Sequence, residues 1–524
     1  MDHPDTPMPV SDTFRAALTE RLADYAGAAV QVYERSVQQH GDRTCLLAHL
    51  GTRKKLIVLG DEATPFEPEA TLDAKAGSLH VCPRTPKNAA ALRSVFDWTA
   101  PEPLGTETAV GCGDRLGLAT PGHIRACRAA GIRPVLAQQS IREMERTGRT
   151  PQAVLDDVTW AVFQEGYREG FGADADHLKT TEAVNRCVAA GYTMYTIDPS
   201  DHVNTEADQL EAGALDARFE ALPWDTLGTT PAACLDRYGA APIEVGTDDP
   251  IRIDFDEATL KRAAVKYGAA LAHTKTLADH LAARYREARP GEAYDLEMSV
   301  DETASPTRPR EHVFVAAELR RMGVEVMSLA PRFVGDFQKG IDFIGALDAF
   351  EKAFEQHARI AAALGDYKLS IHSGSDKFSI YPIMGRHAGD RLHLKTAGTS
   401  YLEALRIAAR HAPDLFREIV DYAFERFEVD RKTYHVTTDL EAIPDPDAVA
   451  DTDLEVTYLD DNDGRQLLHL TYGSVLTAHE EGALRFKERF FDVLNEHEEE
   501  HYETLKQHFI HHLTRVQEGE AAHQ

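Results

Sequence analysis

Paired cysteines, apolar spans and basic charge are scarce in this sequence, and each shortage argues against a class of protein. The six cysteines stand at Cys45, Cys82, Cys112, Cys127, Cys187 and Cys234, with no CxxC pair among them. Neither a zinc knuckle nor a disulfide framework is indicated, and a reducing, cytoplasmic compartment fits. No run approaches the ~20 apolar residues that a membrane-spanning helix requires. Met1 to Val10 is polar and proline-bearing and lacks an apolar signal core. Only 56 lysines and arginines face 86 aspartates and glutamates, a net charge of −30. Such a field repels phosphate backbones and anionic lipid, which argues against nucleic acid and membranes as partners. A solvated acidic coat, of the kind carried in high salt, accounts for the charge without a ligand.

What is present is a folded chain. Its 524 residues are 43% hydrophobic and 27% charged, enough to bury a large core divided among roughly two to four units. Thr13 to His40 reads as an amphipathic helix. Thr44 to Leu50 and Leu56 to Gly60 read as a hairpin with the charged tip Arg53-Lys54-Lys55, so residues 1–104 form an N-terminal extension. From residue 105 a strand, loop, helix rhythm begins. Strands are expected at 109–112, 134–138, 159–164, 193–197, 294–299, 324–329, 367–371, 391–395 and 466–470. Nine candidates in this order predict an α/β fold, a (β/α)₈ TIM-like barrel over 105–477. Residues 199–291 interrupt it as a long helical insertion or lid with a short strand at 251–255. Residues 445–453 look like a solvated connection, and 478–524 like one charged C-terminal helix.

In such barrels chemistry collects where strands end. The string His497-Glu498-Glu499-Glu500-His501 has zincin spacing, but its polar surroundings favour a solvated helix face. The run Gly111 to Gly117 misses dinucleotide spacing, which leaves no nicotinamide site. Its polar tips, Asp114 and Arg115, suit a substrate loop or a plain turn equally. Gly170 to Thr180 is more informative, because Asp176, His177 and Lys179 lie within four residues on a glycine-rich loop near Glu165. An acid, an imidazole and an amine this close can bind a metal and move protons.

Later strand ends repeat the theme. A period of two puts Lys368, Ser370 and His372 on one face, ahead of Ser373-Gly374-Ser375-Asp376-Lys377, and turns His469 away from Leu468 and Leu470. Glu297, repeated in parity with Asp295 and Ser299, needs a cation or strong donors and is a reserve ligand. A mixed imidazole and carboxylate shell suits Zn²⁺, Mn²⁺, Ni²⁺ or Co²⁺ alike. Arg332, Lys339, Lys377 and Lys395 gather cations at strand ends of an acidic protein, the right sign for an anionic substrate.

Seven blocks carry a resemblance: GDRLGLATPGHI (113–124), FQEG with GADADHLKT (163–180), YTIDPSDH (195–202), LAPRFVGDFQKGID (329–342), HSGSDKFSIYP (372–382), LKTAGTSYLEALR (394–406) and RQLLHLTYGSVL (465–476). In this order they resemble the tagaturonate epimerases of hexuronate catabolism, a family also explored for tagatose and fructose. The resemblance implies a metal-dependent epimerase that interconverts D-tagaturonate and D-fructuronate, with a small ketouronate or ketose as its partner. A homo-oligomer is open. Asp176-His177-Leu178 also looks like the Asp-His loop of metal-dependent aldolase barrels. By that likeness His177, His372 and His469 hold the ion, Asp176 and Glu165 shuttle a proton, and Lys179 neutralises oxyanion charge. Arg332, Lys339, Lys377 and Lys395, with Asp114, Arg115 and Asp376, are the expected substrate contacts. A metal-dependent aldolase and a non-catalytic sugar-acid-binding barrel are the rival readings.

Overall fold

Alternating apolar residues build a first, antiparallel sheet around the expected hairpin, now Arg43–Leu50 paired with Arg53–Gly60. Val30–Val32 flanks the first of these strands and Gly77–Pro83 the second. The computed structural model describes residues 12–74, 77–246, 250–365 and 367–523, so the polar start, Met1 to Val10, lies outside the described residues. One sheet face buries Leu46, Ala48, Ile57 and Val81 with Leu18 and Leu22 of the helix Asp12–Ala26. The other buries Leu47, Leu56 and Val58 against Phe96, Trp160 and Phe163, which joins it to the rest of the protein. The first helix stops at Ala26 rather than His40, because Gly27 takes a left-handed φ of 62°.

The second sheet holds the strand ends where chemistry was expected. In chain order its parallel strands are β1 (Ala109–Cys112), β2 (Arg133–Val135), β3 (Gln139–Ser140), β4 (Asp174–Leu178), β5 (Met194–Ile197), β6 (Asp295–Ser299), β7 (Ser328–Ala330), β8 (Lys368–Ile371) and β9 (Leu392–Thr396). They pair in the order β2-β1-β9-β8-β7-β6-β5-β4-β3. This corrects the expected closed eight-stranded TIM-like barrel: the sheet is a curled, nine-stranded one whose order has two ends. The reason is local. The end strands β2 and β3 are successive pieces of one run, and between them residues 136–138 form no regular ladder. Around that break Gly172 exchanges backbone bonds with Pro134 and Leu136, and Asp174 donates to the Ala137 carbonyl.

Two expected strands are helices. The run Thr159 to Gln164 lies inside the helix Pro151–Glu165, which Thr150 caps by accepting from the Ala153 N–H and Gly166 ends in a left-handed conformation. The run Gln466 to Leu470 lies in the helix Asn462–Thr477, where the Asp461 carboxylate accepts from the Asp463 and Gly464 N–H groups. A cap thus overrides an apolar run that resembles a strand. Conversely, Asp174 to Leu178 is a buried strand, although its sequence reads as a loop.

The interruption after β5 contains the 32-residue helix Glu257–Ala288 and the short pair Ile243–Val245 with Ile251–Ile253. Beyond Ala478 the chain is a small hairpin, the helix Lys487–Glu496 and the long helix Glu498–His523, rather than one helix. No helix among the described residues is long and apolar enough to cross a membrane.

Candidate active site

Strand parity turns polar side chains into the interior of the parallel sheet. Asp174 and Asp176 of β4, Thr196 of β5, Glu297 of β6 and Lys395 of β9 are all buried. The Lys395 Nζ lies 2.7 Å from Asp174, 2.8 Å from Asp176 and 2.8 Å from Glu297, and donates to Thr196 at 2.7 Å. Burial opposes its charge, but the three carboxylates outweigh burial and hold the ammonium well above its ordinary range. Asp174 is pushed up to about 6 by burial and by its acidic neighbours, although Lys395 pulls it down.

Above this layer, two imidazoles meet. His177 Nε2 lies 3.2 Å from His372 Nδ1. The other nitrogen of each ring faces a carboxylate: His177 Nδ1 is 3.0 Å from Asp198, and His372 Nε2 is 2.7 Å from Glu297. Hydrogen bonds to those carboxylates hold a proton on the outer nitrogen of each ring, so that loss of the inner protons frees two lone pairs that face each other. A carboxylate that orients a histidine in this way is the usual support for a metal ligand. Asp176 and Asp301 close the group, 3.8 Å from His177 Nε2 and 3.2 Å from His372 Nδ1. Ligand atoms of Asp176, His177 and His372 all lie within 4.8 Å of one another. Burial alone would lower both histidines. Asp176 and Asp198 instead raise His177 to about 10, and Asp301 leads the groups that raise His372 to about 9. A divalent cation satisfies the same carboxylates and competes with protons for the ring nitrogens, so the donor set fits one.

Among the described residues four that are not glycine have positive φ, and two of them, His177 at 53° and Ser373 at 50°, line this region, with Asp376 at 60° further along the same loop as Ser373. Such backbone costs of order 1 kcal/mol or more per residue and gathers where a side chain must point a particular way.

The cluster forms the floor of a cavity of about 590 Å³. Arg115, Arg142, Arg332 and Lys339 line it. Two of these cations are neutralised locally: Arg115 pairs with Glu143 at 2.6 Å and Arg142 with Glu302 at 2.9 Å. Lys339 donates to the Ser373 hydroxyl at 2.6 Å, and Arg332 leaves its Nε without a hydrogen-bond partner. Neither has a carboxylate within salt-bridge distance among the described residues.

The structure brings together Asp176, His177, His372, Glu297 and Lys395, with Arg115, Arg332 and Lys339 around them. Other expected residues lie elsewhere. Glu165 ends its helix in a second cavity, paired with Arg125 at 3.0 Å. Lys179 points outward to Asp201. Asp114 accepts from the Leu116, Gly117, Ala119 and Thr120 N–H groups, which fixes its turn. The Lys377 ammonium is buried among the carbonyls of Gln338, Ile341 and Ser375. Asp376 pairs with Arg465 at 2.7 Å. His469 comes from a helix, outside the ligand group, and so close to Gly398 that a Cβ there would lie 2.2 Å from its Nε2. Burial, then Arg115 and Lys339, keeps it neutral.

Sequence reasoning missed Asp301, Asp198 and Arg142. Asp198 and Asp301 follow β5 and β6 by one and two residues, a position that could have signalled them.

A profile of the tagaturonate epimerase family, UxaE, matches residues 33–516. The tagaturonate/fructuronate epimerase of Thermotoga maritima is 42% identical over 497 residues, 94% of this chain and 98% of that one. The native crystal structure of fructuronate-tagaturonate epimerase UxaE from Cohnella laeviribosi is similar, with a TM-score of 0.87 and 40% identity over 96% of this chain and 99% of that one. A form of that enzyme with one glycerol gives a TM-score of 0.87 at 39% identity, with the same coverage.

Proposed function

This chain belongs to the tagaturonate epimerase family and is an epimerase acting on carbohydrates; from that premise we propose that it interconverts D-tagaturonate and D-fructuronate by retro-aldol cleavage and re-addition. The carbon inverted is β to a ketone. Its hydrogen is not acidified enough to be removed directly, so inversion proceeds by breaking the bond between the α and β carbons.

His177, His372 and Asp176 would hold a divalent cation, whose bound chemistry is Lewis-acid polarisation of the ketone oxygen. Asp301 sits at the rim of the same cluster, with its side chain 19% exposed against 7% for Asp176. It takes the proton of the β-hydroxyl as that carbon becomes an aldehyde. The electrons of the broken bond pass into an enediolate on the other fragment, and the buried Lys395 ammonium faces the developing charge. The aldehyde fragment carries the sugar's carboxylate, which Arg332 and Lys339 grip. Held at that end, it rotates its carbonyl about a single bond and presents the opposite face. The enediolate re-adds, and Asp301 returns its proton to the new alkoxide.

The observation that carries this reading is the pair of cations, Arg332 and Lys339, uncommitted to any acid beside a metal-competent trio. They also favour epimerisation over net aldol cleavage, because a cleaving enzyme must release the carboxylate-bearing fragment. Turnover of tagaturonate deuterated at the inverted carbon tests it. The label stays on carbon in the fructuronate formed; loss to solvent overturns the mechanism.

A further inference from the structure

Away from this cavity, the long helix Glu498–His523 lies across the helices Thr120–Ala130 and Tyr381–Ala388. Its His508 and His512 are one turn apart on the face that meets the loop after β8. Both aim at one atom: His508 Nε2 lies 3.0 Å from Asp376 Oδ1, and His512 Nε2 lies 3.3 Å from it. The other carboxylate oxygen of Asp376 is already taken by Arg465.

The His512 proton is accounted for elsewhere. His512 Nδ1 donates to the His508 carbonyl at 2.9 Å, which leaves a lone pair on its Nε2. That atom accepts the Asp376 N–H at 3.1 Å. His508 Nδ1 faces the buried Glu403 carboxylate at 3.6 Å, an acid that favours a proton on that side of the ring when Nε2 binds an ion. Asp376 Oδ1 and His508 Nε2 are buried and make no hydrogen bond among the described residues, and Asp376 is only 4% exposed. Two unpartnered buried atoms 3.0 Å apart, Asp376 Oδ1 and His508 Nε2, need a positive charge between them, and His512 Nε2 joins them where an ion displaces the Asp376 N–H. Histidines four apart on a helix, a carboxylate and an acid behind one ring are the elements of a zinc-type site. An open groove of about 440 Å³, lined by Glu403, Arg406, Glu500, Glu503 and His508, gives an ion a way in.

We propose that Asp376, His508 and His512 form a second divalent-cation site of the zinc class, which fastens the C-terminal helix to the loop that follows His372. The competing occupant is a proton on His508 Nε2, and metal stoichiometry separates the two. The exposed trio His411, His497 and Glu500 could also take up zinc, so the test is made in an H411Q background. Full-length protein is stripped with chelator, equilibrated with Zn²⁺ alone and desalted, and zinc per chain is measured by elemental mass spectrometry. The H508Q/H512Q change lowers the content by one ion per chain. The H177Q/H372Q change lowers it by the other ion and leaves a zinc-dependent rise in Tm intact. A folded H508Q/H512Q protein with undiminished zinc overturns the proposal. Because that variant can fail to fold, the unmodified protein is also crystallised with zinc: an anomalous peak among Asp376, His508 and His512 supports the site, and its absence overturns it.

Discussion

The antiparallel sheet and the parallel sheet fill their interiors with opposite materials. On the two faces of the first are Leu47, Leu56, Ile57, Val58 and Val81, which need nothing but other apolar side chains. Inside the second are three carboxylates, an ammonium and histidines, each tolerable only because another cancels it. Burial of apolar area stabilises the first sheet directly, whereas the charged layer of the second contributes little net stability and fixes positions instead. One region therefore holds the protein together, and the other holds a few atoms still.

The comparison breaks most readily at His372. In H372A, kcat/KM falls about 100-fold or more while the unfolding midpoint shifts little, as parallel kinetics and denaturant titration will read. Next is Lys395. K395M leaves three buried carboxylates without their cation and costs about 3–5 kcal/mol of stability, with activity lost as well. Its counterpart, L56A, costs about 2–5 kcal/mol through the cavity left behind, yet retains kcat and KM in whatever fraction is folded. K339M sharpens the contrast within the mouth. Losing one hydrogen bond to a charged group, about 1.5–3 kcal/mol, raises KM for the uronate roughly tenfold or more and leaves folding unchanged.

An effect seen only as the pH falls comes from a buried chain that uses charge in neither way. Tyr367 donates to His312 Nε2, His312 meets His357 Nδ1 at 2.8 Å, and His357 Nε2 donates to the Thr307 carbonyl. Burial, with His357 as neighbour, holds His312 well below its ordinary value, and burial holds His357 down at about 4. Unfolded, both bind protons near pH 6.5. The unfolded state thus takes up more protons as the pH falls, so stability present above 6.5 drains away towards pH 4. Denaturant midpoints across that range show a slope that flattens in H312F/H357F.

Apolar strands were legible in the sequence. Residues 109–112, 193–197, 294–299, 367–371 and 391–395 each contain or nearly match a strand of the parallel sheet, because backbone pairing and burial leave a pattern of Val, Leu and Ile. Asp174 to Leu178 was not legible as a strand: its inward residues are acids, and the usual code of apolar inside is reversed where the interior is the site. Thr159 to Gln164 and Gln466 to Leu470 misled for the opposite reason, since short apolar runs are shared by buried helices and strands. The interior residues His177, His372 and Glu297 could be nominated one by one from chemistry. Their partners Asp198 and Asp301 carried a fainter signal, a place one and two residues past a strand end, because what recruits them is proximity across the sheet.

The positive φ angles at His177, Ser373 and Asp376 set the terms on which this enzyme can be hardened against heat. Glycine at Ser373 would relax the main chain and toughen the fold, but it would release the hydroxyl that steadies Lys339. Robustness and turnover are thus traded at the same few peptide units, and an engineer seeking a sturdier catalyst must begin elsewhere, in the antiparallel sheet.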